Sequence, residues 1–438
     1  MTNDPRAIID ESPMSSFQIV AVAITIALNA LDGFDVLAIS FAAPGIAAEW
    51  GIDRAELGIV LSMELIGMAL GSLLIGGIAD RIGRRPTILG CLAVMASGML
   101  LCTLAHNILV LCLLRVATGL GIGGVLAAIN AMAAEYANAK RRNLAISIMA
   151  IGYPLGAIVG GSIAALLLRH HDWRIIFLFG GTVSALLIPI VLWRMPESIA
   201  FLVQKRPANA LDRVNATLKR MGHRLVDALP APTAAEDAHS LVDIFRPGLR
   251  HITIALTAAY FLHVATFYFV LKWVPKIVFD MGFDPSSAAG VLVWANVGGA
   301  VGGAVFGLFA AWIRLRPLTI FVLIMSTVMV VLFGHSAASI GSLALVAAIA
   351  GFFTNAGIVG LYALLAQSFP THVRATGTGF AIGIGRGGSA LSPIIAGFLF
   401  EAGLPLSIVA TIMACGSILG VGALLTLGLR AHRLSASR

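Results

Sequence analysis

The stretch Gly76-Gly-Ile-Ala-Asp80-Arg81-Ile-Gly83-Arg84-Arg85-Pro86 separates two apolar runs, at about 57–79 and 87–105. A hydrocarbon layer about 30 Å thick is crossed by roughly 20 apolar residues in a helix, so each run is long enough to span it once. The basic stretch between them then reads as a tight turn at the membrane surface. Glycine gives such a turn its backbone freedom, and small residues let the flanking helices approach closely. Asp80 ends one helix beside several cations, which suits an ion pair made in one conformation and broken in another. Surface charge alone would require cations, but not this joint spacing of two glycines, Asp-Arg, glycine and Arg-Arg.

The same alternation extends along the chain. Of its 438 residues 59% are apolar and only 11% charged, against about 25% charged in soluble domains. That leaves too little polar surface for a water-soluble enzyme of this size. Spans fall at about 17–43, 57–79, 87–105, 108–136, 143–168 and 174–194, then 251–279, 287–312, 317–334, 339–369, 374–400 and 404–430. The expected fold is an all-α membrane protein of twelve transmembrane helices in two pseudo-symmetric six-helix bundles. Residues 1–195 would form one bundle, 196–250 a linker on the inside, and 251–438 the other, with a short surface helix expected over 208–224. Two such halves with a site between them are a common secondary-transporter architecture. The first sixteen residues are polar and no cleavage site follows Phe17, so the first span is expected to remain as an anchor.

Charge placement sets the orientation. With the N-terminus inside, 22 of the 29 Lys and Arg lie on inside segments, as the positive-inside rule requires of a chain with both termini in the cytoplasm. The net charge of +8 is thereby explained without nucleic acid. Cys91, Cys102, Cys112 and Cys415 lie within apolar runs without paired spacing, so neither disulfide nor metal is expected. There is no GxxxxGK[ST] loop for an ATP-driven pump and no nucleophile–base set for an enzyme. No cofactor is expected.

Within the first span, Leu31-Asp32-Gly33-Phe34-Asp35 puts two carboxylates three residues apart, on one helix face. Charge at that depth costs several kcal/mol unless it is paired, hydrated or protonated, and this makes the pair suited to taking up a proton. The competing reading has one Asp capping a break near Gly33. Arg115 and Arg386 are the cations placed deepest in the membrane, one in each half, and a guanidinium matches a carboxylate with a planar fork. Arg115 is open to two readings, substrate contact or pairing with Asp32 or Asp35; for Arg386, substrate contact is the favoured one. Tyr153, Phe267, Tyr268, Trp294 and Tyr362 are candidates to hold a ring, with Asn296 and Asn355 as polar neighbours. Glu135 is expected to form an inside gate with Arg84, Arg85 or Arg141, together with Asp80 and Arg81. Glu64 reads equally as proton relay or interhelical pair.

The Asp80 loop resembles the best-known loop motif of the major facilitator superfamily. Arg115-Val-Ala-Thr-Gly119-Leu-Gly121-Ile-Gly123-Gly124 and Met195-Pro196-Glu197-Ser198 are similar to two further motifs of that superfamily. The chain is identified more closely as a member of its aromatic acid:H+ symporter family by Asp32-Gly-Phe-Asp35, Ala134-Glu135-Tyr136, Trp273-Val-Pro275 and Gly385-Arg386-Gly387…Ser392-Pro393. The resemblance implies import of a small carboxylate, such as hydroxybenzoate, protocatechuate, gentisate or muconate, with protons, across a bacterial inner membrane. It also implies that Asp32 and Asp35 are required for transport and Arg386 for substrate handling. Two positions depart from the pattern. Ala311 stands where the second-half loop would repeat Asp80. Lys272 replaces a residue that is commonly small and polar, and with Lys276 it would add anion-attracting cations at the outer mouth. A carrier of non-aromatic metabolites or a drug exporter is the alternative, on the loose exporter likeness of Gly152-Tyr-Pro154-Leu-Gly156…Gly160-Gly161.

Overall fold

A backbone in hydrocarbon has no water to bond to, and an α-helix satisfies its N–H and C=O groups within one segment. The computed structural model describes residues 4–230, 241–370 and 373–436, so linker residues 231–240 and Arg438 of the tail lie outside the described residues. Before the first span stands α1 (Pro5–Glu11). Six long helices follow: α2 (Ser16–Trp50), α3 (Arg54–Ile82), α4 (Arg84–Cys102), α5 (Ile108–Tyr136), α6 (Arg142–Leu167) and α7 (Arg174–Arg194). The linker carries α8 (Ile199–Lys205) and α9 (Ala210–Met221). The second set is α10 (Arg250–Asp280), α11 (Pro285–Phe309), α12 (Leu315–Gly334), α13 (Ile340–Ser368), α14 (Arg374–Glu401) and α15 (Leu406–Ala436). Among the described residues, twelve helices are long and apolar enough to cross a membrane, α2–α7 and α10–α15. The protein is a multi-pass membrane protein.

Helix ends follow local chemistry. Asn107 caps α5 by accepting from the Val110 N–H at 2.9 Å. Asp284 caps α11, accepting from the N–H of Ser287 at 2.9 Å and from its hydroxyl at 2.6 Å; the Ser287 hydroxyl bond holds this carboxyl below its ordinary pKa. Gly51 leaves α2 with φ +61°, a conformation that favours glycine. Within the linker, α9 forms inside the expected 208–224 stretch, with Val214, Leu218 and Met221 buried on one face.

The chain divides into two compact units, 1–36, 67–160 and 177–236 in one, 37–66, 161–176 and 237–438 in the other. The division cuts through α2, α3, α6 and α7. In the first unit, α6 lies against α2 through Gly152, Gly156 and Gly160, which face Ile26, Ala30 and Phe34, while Gly33 faces the Tyr153 backbone. Asn29 adds a bond to the Met149 carbonyl at 2.7 Å. Likewise Gly67 and Gly71 of α3 meet Val116 and Leu120 of α5, and Gly123 meets Met68. The glycine runs at 119–124 and 152–160 are thus packing surfaces, since contact without Cβ atoms is how helices approach where no hydrophobic force draws them together.

The second unit repeats this device. Gly298 and Gly302 of α11 face Ala348 and Phe352 of α13, and Gly385 and Gly388 of α14 face Tyr260 and Phe261 of α10. Pairing of the second helix with the fourth in one half, and of its counterparts in the other, is the expected internal pseudo-symmetry.

A leucine at Gly156 has no space against the Ala30 carbonyl. Gly156→Leu should therefore cost about 1–3 kcal/mol, read as a lower Tm of the detergent-purified protein. Gly290→Ala, where nothing lies within 4 Å, should not lower Tm, since alanine also favours the helix.

Candidate functional site

The paired carboxylates sit inside α2. Asp32 is 2% and Asp35 0% exposed, and α2 continues unbroken through Gly33. Neither Asp caps a helix break, so that alternative is removed. The close approach of α6 at Gly33 fixes the backbone between them. Around Asp35 the wall is made by α4, α5 and α7. A Cβ at Gly180 would lie 3.0 Å from Asp35 Oδ1 and also strike Met99, so glycine there gives the carboxylate its room.

Arg115 is fully buried beside this acid. Its Nη2 donates to the Asp35 carbonyl at 3.1 Å, its Nη1 lies 2.9 Å from Met99 Sδ, and its guanidinium stands 5.3 Å from the centre of the Phe177 ring. A guanidinium over an aromatic face is held partly by the ring quadrupole. Of the two readings of Arg115, this neighbourhood favours partnership with the Asp35 turn. Tyr153 lies half-buried on α6, where its backbone touches Gly33.

The other candidates belong to the second unit. Arg386 is half-buried on α14, one residue after the glycine that packs on Tyr260. The Tyr260 and Tyr362 hydroxyls meet at 3.0 Å, joining α10 to α13, and Phe267 and Tyr268 pack edge to face at 5.4 Å. Tyr260, which the structure adds to the sequence candidates, was legible only as one more aromatic in an apolar run. Asn296 is buried and donates to Leu292 of its own helix, Asn355 donates to the Gly299 carbonyl at 2.7 Å, and Trp294 is 55% exposed.

Lys272, expected to add a cation near the outer mouth, has its side chain withdrawn from solvent. It is fully buried and pairs with Glu64, also fully buried, at 3.7 Å. The reason is that α3 lies against α10 there. Lys276, one turn on, pairs with Asp280, which also holds Arg54 at 3.1 Å. For Glu64, of its two readings, the structure displays the interhelical pair.

A separate cluster joins the α3–α4 turn to the ends of α5 and α7. Arg84 pairs with Asp80 at 3.0 Å and with Glu135 at 3.7 Å, and Glu135 accepts from the Ser198 hydroxyl. Arg81 and Arg141 stay exposed. At the centre is Glu197, which sequence reasoning quoted only as part of a motif. Its Oε1 accepts from the N–H groups of Arg84 at 2.9 Å, Arg85 at 3.4 Å and Ser198 at 2.8 Å. Gly83 supplies no side-chain cap to α4, so Glu197 brings an acceptor and a negative charge to that helix start. Tyr136 donates to the Glu197 carbonyl at 2.8 Å.

Residues 25–393 match the family described as the Major Facilitator Superfamily. The chain belongs to the Major Facilitator Superfamily, within its aromatic acid:H+ symporter family. It is 31% identical to a gallate transporter of Pseudomonas putida, over 97% of this chain and 95% of that one. It is 30% identical to the 4-hydroxybenzoate transporter PcaK of Pseudomonas putida, over 98% and 96%. A solved D-xylose–proton symporter superposes with TM-score 0.72 over 93% of this chain and 97% of that one, at 16% identity, which shows the shared fold. These superfamily relatives are transporters, not enzymes.

Replacing Glu197 by Ala should remove about 1–2 kcal/mol of capping and lower Tm. Glu197→Gln, which keeps an acceptor oxygen, should recover much of the loss.

Proposed function

We propose that this chain is a symporter that carries a small aromatic carboxylate together with protons, inward across a bacterial inner membrane, with both termini in the cytoplasm. The observation that carries the reading is the buried Asp32–Asp35 pair with Arg115 at the Asp35 backbone, in a chain whose relatives over almost its full length are gallate and 4-hydroxybenzoate transporters. The basic loops give the orientation by the positive-inside rule.

The moving parts in this reading are the two six-helix halves on either side of the 196–250 linker, rocking around a site near the midplane. Asp32 or Asp35 takes a proton from the outer side. The cavity loses negative charge, and the substrate carboxylate binds the Arg386 guanidinium, while rings such as those of Tyr268, Phe267 and Tyr362 receive its aromatic face. The loaded protein turns inward, the substrate leaves, and the acid gives up its proton to the cytoplasm. One proton with a monovalent anion moves no net charge; each additional proton would add ~2.3 kcal/mol of driving force per 100 mV. The Asp80–Arg84–Glu135 cluster would serve as the inner gate. Gly152, Gly156 and Gly160 of the exporter-like stretch pack α6 on α2.

Asp32→Asn and Asp35→Asn should each abolish uphill uptake of labelled 4-hydroxybenzoate in proteoliposomes with an imposed pH gradient. They should still allow exchange of internal for external substrate, because exchange needs no net proton release. Arg386→Lys, which keeps charge but loses the fork, should raise KM about tenfold, as expected for a lost charge-assisted contact of about 1.4 kcal/mol. Normal accumulation by either Asn variant would remove that acid from the coupling scheme.

A further inference from the structure

Glu64 on α3 and Lys272 on α10 take no part in the proton and carboxylate steps above, yet both are fully buried and they meet at 3.7 Å. Apolar side chains of similar volume are often at least as stable as a buried ion pair, and the best-attested reason for keeping one is registry or switching. The setting points to switching, because α3 belongs to the six spans before the linker and α10 to the six after it. Glu64 stands just before α3 passes from one compact unit to the other, at Ile66/Gly67. Nearer its start, α3 meets the later helices through contacts able to part as a surface. Gly58 faces Pro393 and Gly397 of α14, Arg54 reaches Asp280 at 3.1 Å, and the Arg54 N–H donates to Glu401 at 3.3 Å. Farther along, Gly67 and Gly71 turn to α5 instead. Among the described residues the pair thus lies farther along α3 than the Arg54 contacts, toward the point where the helix turns to α5.

We propose that the Glu64–Lys272 ion pair is the latch of the outer path: it forms when α3 closes on α10, must be broken and hydrated for that path to open, and governs the opening rather than substrate affinity. The word "outer" rests on the orientation given under the proposed function. Removing one partner strands a buried charge, which destabilises the closed arrangement and favours the open one. Reversing the pair restores it.

The test uses Leu61→Cys, on α3 one turn outward of Glu64 and fully buried, labelled from outside in whole cells with a membrane-impermeant maleimide. The chain without that substitution serves as blank for the native cysteines. Glu64→Gln and Lys272→Met should each speed labelling by about fivefold or more, a size expected for coupling between contacting residues. KM for labelled 4-hydroxybenzoate should stay within about twofold. The reversed pair Glu64→Lys/Lys272→Glu should bring labelling back to the parent rate. Should the single variants fail to reach the membrane, Glu64→Leu/Lys272→Leu carries the test, with unchanged KM expected and a labelling rate that differs from the parent. Unchanged labelling in every variant would overturn the proposal. So would a rise in KM of about tenfold in Lys272→Met but not in Glu64→Gln, which would make Lys272 a substrate contact. Labelling needs no substrate, so a wrong assignment of the transported acid would leave this readout intact.

Discussion

An ionised side chain inside hydrocarbon has to be paired, hydrated or neutralised, and this constraint organises the protein. The spans are apolar enough that each buried charge stands out, and several of these charges meet a specific neighbour. Arg115 lies on the Asp35 carbonyl and the Phe177 ring. Lys272 lies on Glu64. Near the chain's basic loops, Glu197 and Glu135 gather Arg84 and the start of α4. Deep charges that are costly to keep are also the ones whose partners can change, and transport needs contacts that change.

Close helix packing makes those partnerships possible. The glycines of α6 bring it onto α2 and fix the backbone around Gly33, between the two acids. Gly180 leaves room for the Asp35 carboxylate. In the second unit, Gly385 lets α14 approach Tyr260, which carries Arg386 toward the aromatic side chains of α10 and α13. Small residues thus act twice, as the means of association where lipid supplies no hydrophobic force and as the spacing that exposes or covers a charge.

Much of this was legible in the sequence, for a physical reason. A span is a local property, so twelve apolar runs became twelve helices, although α2 extends to Trp50 where about 43 was expected. That extension carries Glu49 to Arg174 at 2.7 Å, a partner that no local hydropathy reveals. The short helices α1 and α8 were missed because each is only seven residues long and is held by docking: Asp10 of α1 pairs with Arg142, and α8 buries Ile199, Phe201, Leu202 and Val203. Asp32, Asp35 and Arg115 could be singled out because charge in an apolar run is conspicuous. Which partner each chose was not legible, since Lys272 and Glu64 meet through the tertiary fold alone. The gap at Ala311, by contrast, was visible at once from comparison of the two half-chain loops.

Coupled proton and carboxylate movement is the centre of the account, and the most direct measurement is of the proton itself. Purified protein in liposomes loaded with a pH-sensitive dye, with no gradient imposed, would receive external 4-hydroxybenzoate at saturating concentration. Coupled import should acidify the lumen in step with entry of labelled substrate, faster than the passive acidification that the neutral acid gives in protein-free liposomes. Entry of the acid through the protein without lumenal acidification beyond that passive rate would contradict the account.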